Sequence, residues 1–213
     1  INRIVGVNVD RLLDPVCLNS CDPCETLVQF QPQTKDELQI AVDLWVSDNP
    51  NALETYGEIN TWDVSLITDM SNLFKNKATF DDDIGNWDVS NVTNMQSMFQ
   101  SDNLLAPVIF NQDISGWIVS SLTNMRNMFN NAFSFRQDLS NWDVSNVTDM
   151  HGAFNAALSF NSDVSSWNVS SVTDMSSLFD GNFQINSSPS SSLSIIPAGS
   201  QLGYSGLSWF WSM

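Results

Sequence analysis

Positive charge is what this chain lacks most. Seven Lys and Arg and a single His stand against 24 Asp and Glu, a formal net charge of −17 over 213 residues. That balance argues against nucleic-acid phosphates and anionic bilayers as partners and favours cations or basic protein surfaces. Imidazole is nearly absent too, so acid–base chemistry has little to work with. His151 is the only one, at a repeat position held elsewhere by Ser71, Gln96, Arg126 and Ser176. No nucleophile–base set is evident, and the sequence reads as non-enzymatic, with no catalytic residue and no cofactor. No apolar run approaches the ~18–20 residues of a membrane span, and no basic-then-apolar signal segment is present. The chain opens on Ile1 rather than Met, which suggests a processed mature protein whose targeting segment has been removed.

Cysteine is scarce and crowded: Cys17, Cys21 and Cys24 are the only three. They cannot all pair within the chain, and a zinc site would need a fourth ligand that the distant His151 does not supply. One local disulfide with a leftover thiol, or a bond to another chain, is the expected use, and it points to an oxidising compartment. Sequons at Asn91, Asn146, Asn168 and Asn186 are compatible with glycosylation there.

What is present in abundance is repetition. Trp87-Asp-Val-Ser-Asn-Val-Thr-Asn-Met95 recurs, with the same residue types in the same places, from Trp62, Trp117, Trp142 and Trp167; the Trp spacings are 25, 30, 25 and 25 residues. The long interval reflects a five-residue insertion within Ser101 to Ile109. Self-similarity at such a period marks a stack of repeats. Within a copy, the alternation of Trp87, Asp88 and Val89 suits a short strand with Trp and Val inward. Val92, Met95, Met98 and Phe99 then fall at helical spacing, with Ser90 and Thr93 placed to cap a short helix. The expected fold class is an α/β solenoid, a leucine-rich-repeat-like right-handed stack of strand, turn and short-helix units.

The flanks divide the chain. Residues 1–33 read as a cysteine-containing arm. Residues 34–60 read as a helical N-terminal cap, because Thr34-Lys-Asp-Glu37 is a capping-box pattern and Leu38, Ala41, Val42 and Trp45 follow at helical spacing. The five repeats occupy 61–185. Residues 186–213 form a Ser-rich linker and a tail ending in Trp209-Phe-Trp211, whose aromatics either fold back over the last repeat or insert into a partner protein.

The units Phe110-Asn-Gln-Asp-Ile-Ser-Gly-Trp117 and Trp142-Asp-Val-Ser-Asn-Val-Thr-Asp-Met150 resemble the repeat of the BspA-like leucine-rich-repeat surface proteins of bacteria, protists and algae, and the segment from Glu37 to Trp62 resembles the usual lead-in. The resemblance covers roughly residues 34–185. It implies a leucine-rich-repeat-like stack, exposed at the cell surface or secreted, with adhesion as its role. It supplies no catalytic residues.

The Trp, Met and Phe columns are expected to be core. Asp83, Asp113, Asp138 and Asp163 stack four residues before each Trp after the first. They either accept backbone hydrogen bonds in their turns or hold calcium between rungs. Polar strand positions Asp63, Asp88, Asp143 and Asn168, with Ile118 among them, are expected to line a concave binding face. Leu104, Leu105, Val108 and Ile109 in the insertion add an apolar bulge suited to a contact. The expected function is protein or glycan binding, or adhesion, by a secreted or surface-exposed repeat domain. The alternative is a structural subunit of a larger assembly, docked by the arm and by Trp209, Phe210 and Trp211.

Overall fold

A computed structural model describes residues 29–181. Cys17, Cys21, Cys24, Asn186 and the run from Trp209 to Trp211 lie outside the described residues. Two helices come first, α1 (Lys35–Ser47) and α2 (Asn49–Tyr56). The Thr34 hydroxyl accepts from the N–H of Glu37, and the Glu37 carboxylate reaches back to the N–H of Gln33 at 2.7 Å. Two donors that the helix cannot use internally are thereby satisfied. Asp48 closes α1 and opens α2, accepting from Asn51 N–H, and Gly57 ends α2 at φ 73°, a left-handed conformation that glycine adopts without penalty. The α1 stripe Leu38, Ala41, Val42 and Trp45 is buried. Trp45 packs edge-on against Trp62, centroids 5.8 Å apart. Its indole N–H donates to Asp82. Gln39 and Lys35 reach the first rung at the Leu73 carbonyl and the Ser71 hydroxyl. The helix thus lies across one end of the array.

From Trp62 onward the described chain contains no helix and no strand. The expected α/β solenoid of strand, turn and short-helix units is therefore incorrect. Among the described residues the only β-type pairing is a chain of isolated parallel bridges through Asp69, Asn94, Asn124, Asp149 and Asp174, displaced from the Trp–Val segment where a strand was expected. Nor do the Met and Phe positions wind a helix. Asn72, Ser97, Asn127, Gly152 and Ser177 all sit at φ between 53° and 62°, and Asn76, Asn131, Ala156 and Gly181 repeat the left-handed conformation four residues later. A helix cannot pass through such residues. The three- and four-residue spacing of apolar side chains arises instead from consecutive tight turns.

Those turns divide the backbone donors between two tasks. Met70, Asn72, Phe74 and Asn76 donate forward to the carbonyls of Asn94, Gln96, Met98 and Gln100 at 2.8–2.9 Å. Leu73, Lys75 and Lys77 donate within the rung, to Met70, Asn72 and Phe74. The pattern repeats down to Met150, Gly152, Phe154 and Ala156, which donate to Asp174, Ser176, Leu178 and Asp180. The Thr column pairs in the opposite sense, the N–H of Thr93 donating to Thr68 and that of Thr123 to Thr93. The hydroxyls of Thr93, Thr123, Thr148 and Thr173 donate to the same carbonyls as their own N–H groups, so they bridge rungs rather than cap helices.

Side chains fill the interior in matching columns. Phe74, Phe99, Phe129 and Phe154 stack at 5.4 Å and are fully buried. Each also meets a second column of Phe80, Phe110, Phe135 and Phe160 at 4.0–4.1 Å. Burial of each such ring stabilises the fold by about 1.5–3 kcal/mol. Trp62, Trp87, Trp117, Trp142 and Trp167 are buried as well. The indole N–H groups of Trp87, Trp117, Trp142 and Trp167 donate to the carbonyls of Ile59, Ile84, Ile114 and Leu139 one rung back. A buried polar tip is thus satisfied at every step.

Candidate binding face

The rungs bend through Asp- or Asn-led turns in two rows, one before and one after the Trp position. In the first row the Oδ1 atoms of Asp83, Asp113, Asp138 and Asp163 accept from the N–H of Gly85, Ser115, Ser140 and Ser165 at 2.9–3.0 Å. In the second row Asp63, Asp88, Asp143 and Asn168 accept from Ser65, Ser90, Ser145 and Ser170 at 3.0–3.2 Å. These are side-chain mimics of a backbone turn, which Asp and Asn adopt readily. The hydrogen-bonding reading of the first row therefore accounts for its aspartates. Among the described residues no group of three or more His, Cys, Asp or Glu converges as a metal site would require.

One carboxylate oxygen serves each turn. The second oxygens of Asp83, Asp88, Asp113, Asp143 and Asp163 have no partner among the described residues, whereas Oδ2 of Asp63 receives Gln31. All of these carboxylates except that of Asp63 belong to exposed residues. The turns lower the carboxyls of five row aspartates, Asp88, Asp113, Asp138, Asp143 and Asp163. For Asp113 the Ser115 hydroxyl and then its N–H hold the carboxyl below the ordinary aspartate value, against a small opposing influence from Asp138. Ser90 and Ser145 lower Asp88 and Asp143, hydroxyl first and N–H second. At Asp138 and Asp163 the N–H of Ser140 and Ser165 is the larger cause. Asp88, Asp113, Asp138, Asp143 and Asp163 therefore stay ionised further into the acidic range than an ordinary aspartate.

Four of the five Lys and Arg among the described residues are paired elsewhere, while Arg136 makes no ion pair and lines a surface depression with Asp138 and Asp163. Lys35 pairs with Asp69, Lys75 with Asp102, Lys77 with Asp43, and Arg126 with both Asp149 and Asp174. His151 meets the Ser176 hydroxyl at 2.6 Å, beside Asp174. Among the described residues no ion pair reaches either turn row. The bridge column behaves differently: Asp69, Asn94, Asn124, Asp149 and Asp174 place two amides between carboxylates, and Lys35 and Arg126 offset the charge at its two ends. Burial, the largest influence on Asp69, raises its carboxyl, but Ser71 and Lys35 together outweigh it and the net shift is downward.

Ile118 interrupts the second acidic row between Asp88 and Asp143, and its side chain is 64% exposed. In the insertion, Leu104 and Leu105 project at 60% and 95% exposure and Ile109 is partly exposed, while Val108 is fully buried and belongs to the core. The apolar bulge is therefore three residues rather than four. Asn91 and Asn146 use their side-chain N–H groups to bridge to the carbonyls of Ser65 and Ser120 in the preceding rung. Of the three described sequon residues, Asn168 is the one whose amide nitrogen makes no such bridge among the described residues. The bridging columns of Thr and Asn were the functional pattern least visible beforehand, since their partners lie 25 to 30 residues away.

A family model described as Mycoplasma protein of unknown function, DUF285, matches residues 47–137 and again residues 105–193, together more than half of the chain. The chain belongs to that family. The same DUF285 pattern fits twice, offset along the sequence, as a periodic chain allows. Both matches include repeat copies whose turn rows form the acidic face, so that face is built from the part of the chain that carries the family's pattern. No curated protein and no solved structure matches the chain. Among the described residues no helix is long and apolar enough to cross a membrane.

Proposed function

We propose that this DUF285 chain is a non-catalytic, secreted or surface-exposed repeat domain that binds a basic protein surface through its two aspartate-turn rows. The observation that carries the reading is the set of exposed carboxylates, Asp83, Asp88, Asp113, Asp138, Asp143 and Asp163, oriented by their turns and in no ion pair among the described residues. Fixed charges of one sign steer an oppositely charged partner and suppress wrong ones. Ile118 within the row supplies an apolar contact inside a charged rim, as protein interfaces commonly do. The resemblance of the repeats to BspA-like surface proteins supports adhesion as the biological setting.

Titration of the full chain with poly-L-lysine, followed by calorimetry at several salt concentrations, tests the reading. Binding should weaken as salt rises, and the combined D88N, D113N, D138N and D143N variant should weaken it by about tenfold or more. Asn retains the turn-forming oxygen, so the variant should remain folded. Equal affinity of variant and parent would remove the face from consideration.

A further inference from the structure

Just after the second Phe column, neighbouring rungs are laced together by side chains as well as by backbone. The residue following each ring supplies an oxygen to the next rung. Oδ1 of Asp81 accepts from the N–H of Asn111, and Oδ1 of Asn111 accepts from the N–H of Arg136, at 2.8–2.9 Å. The Gln one place further on donates back, Gln112 to the Asp81 carbonyl and Gln137 to that of Asn111. At the third step both threads stop. Arginine carries donors only, so the Arg136 side chain offers nothing to the N–H of Asn161, which has no partner among the described residues. Ser162 stands where a Gln would be, and its hydroxyl donates to Asp138 while accepting from the N–H of Leu139. A depression of about 580 Å³ lies between the two rungs where the lacing is missing, with Arg136, Asp138, Ser159, Asn161 and Asp163 in its lining.

Arg136 thus costs the fold a contact between rungs, and nothing among the described residues returns it. Unlike Lys35, Lys75, Lys77 and Arg126, it pairs with no carboxylate there, and it is exposed. An asparagine would continue the column, as Asn111 and Asn161 do on either side. A local rule broken without structural gain points to a functional position. The charges around it narrow the ligand. Asp138 and Asp163 each commit Oδ1 to their turns, and both carboxylates face the depression from adjacent rungs. A purely cationic partner would meet its own sign of charge at Arg136, and like charges set against each other cost affinity. A carboxylate flanked by basic groups would be matched at every point, and guanidinium is the side chain best shaped to take one.

We propose that this depression receives a carboxylate side chain of the protein partner, held by the Arg136 guanidinium and the Asn161 N–H, while Lys or Arg neighbours of that carboxylate meet Asp138 and Asp163. With the acidic face as the binding surface, on which this rests, the partner must carry an acidic residue set within its basic patch. Arg136 is then a specificity-determining residue, fixing the register of binding along rows that otherwise repeat.

Calorimetry of the full chain at low salt tests this with two synthetic peptides of equal net charge, one of Lys and Ser alone and one with a central Glu and an additional Lys. The parent should bind the Glu peptide about two- to fivefold more tightly, the worth of an exposed ion pair. Arg136→Asn should abolish that preference and tighten binding of the Lys–Ser peptide. Asn also restores the oxygen that the N–H of Asn161 lacks, so the variant should melt no earlier than the parent, and its Asn161 amide should exchange more slowly. Equal affinity of the parent for both peptides, or a preference that survives Arg136→Asn, would overturn the proposal. So would a variant that melts earlier, the sign that Arg136 serves the fold. Failure of both peptides to bind the parent would instead reject the acidic face itself, and this refinement with it.

Discussion

The two ends of the described array differ in chemistry as well as in cover. The end beneath α1 presents carbonyls, and the cations Lys35, Lys75 and Lys77 gather there, with Gln39 donating to the Leu73 carbonyl. The end at Gly181 presents N–H groups, no Lys or Arg follows Arg136 in the sequence, and Asp174 and Asp180 stand nearby. Aligned peptide dipoles favour cations at their carbonyl end and anions at their N–H end, the same rule that governs helix termini. A stack built from one repeated turn is therefore directional, and its two ends need different caps.

Truncations along the aromatic column sharpen the contrast. Phe129→Ala, in the fully buried middle, should cost about 3–5 kcal/mol in chemical denaturation. Phe179→Ala at the far end should cost clearly less than Phe129→Ala, because its ring meets neighbours on fewer sides. Equal losses would show that the C-terminal end is as enclosed as the centre.

Gly152→Ala is expected to destabilise by about 1–3 kcal/mol, since the residue sits at φ 60° and an added Cβ would lie 2.3 Å from the Asn127 side-chain oxygen. The loss should be partly recovered in the Asn127→Gly background, where the clash is gone. At the covered end, Gln39→Ala removes one hydrogen bond to the rung-one carbonyl edge and should lower stability by about 0.5–1.5 kcal/mol. A null result there would mean that α1 covers the edge by apolar packing alone.

The smallest effect concerns acid. Asp88, Asp113, Asp138, Asp143 and Asp163 have carboxyls lowered from 3.8 by their turns. A lowered folded value contributes stability that is fully present above the unfolded value and lost as pH falls through the folded one. Melting temperature should therefore hold steady down to about pH 4 and decline below it. Losses beginning near neutral pH would show that these turn carboxylates are not the source of the acid sensitivity.

Much of this was legible in the sequence, and the misreading has a specific cause. The capping pattern from Thr34 and the α1 stripe show as spacing because a helix is local. The buried Trp, Met and Phe columns show as repetition. The conformation of the repeat did not, because a run of turns with left-handed residues spaces Met95, Met98 and Phe99 as a helix would. The available clue was the column Asn72, Ser97, Asn127, Gly152, Ser177, composed of residues that tolerate positive φ or favour turns and poor in strong helix formers. At the candidate face, the hydrogen-bonding use of Asp83, Asp113, Asp138 and Asp163 followed from residue type. The absence of any ion pair to them among the described residues could not, since it depends on where Lys35, Lys75, Lys77 and Arg126 find partners in three dimensions and on Arg136 standing near Asp138 and Asp163 without pairing.

The five extra residues between Ser101 and Ile109 leave both neighbouring rungs in phase: Ser101 still donates to Asn130, Ile109 to Ala78, and Phe110 rejoins its column at 5.8 Å from Phe80. Additional length is extruded sideways, with Val108 as its inner anchor. This corner is consequently a natural socket for grafting: a foreign peptide spliced between Asn103 and Pro107 would be displayed on a rigid scaffold whose periodicity it does not disturb.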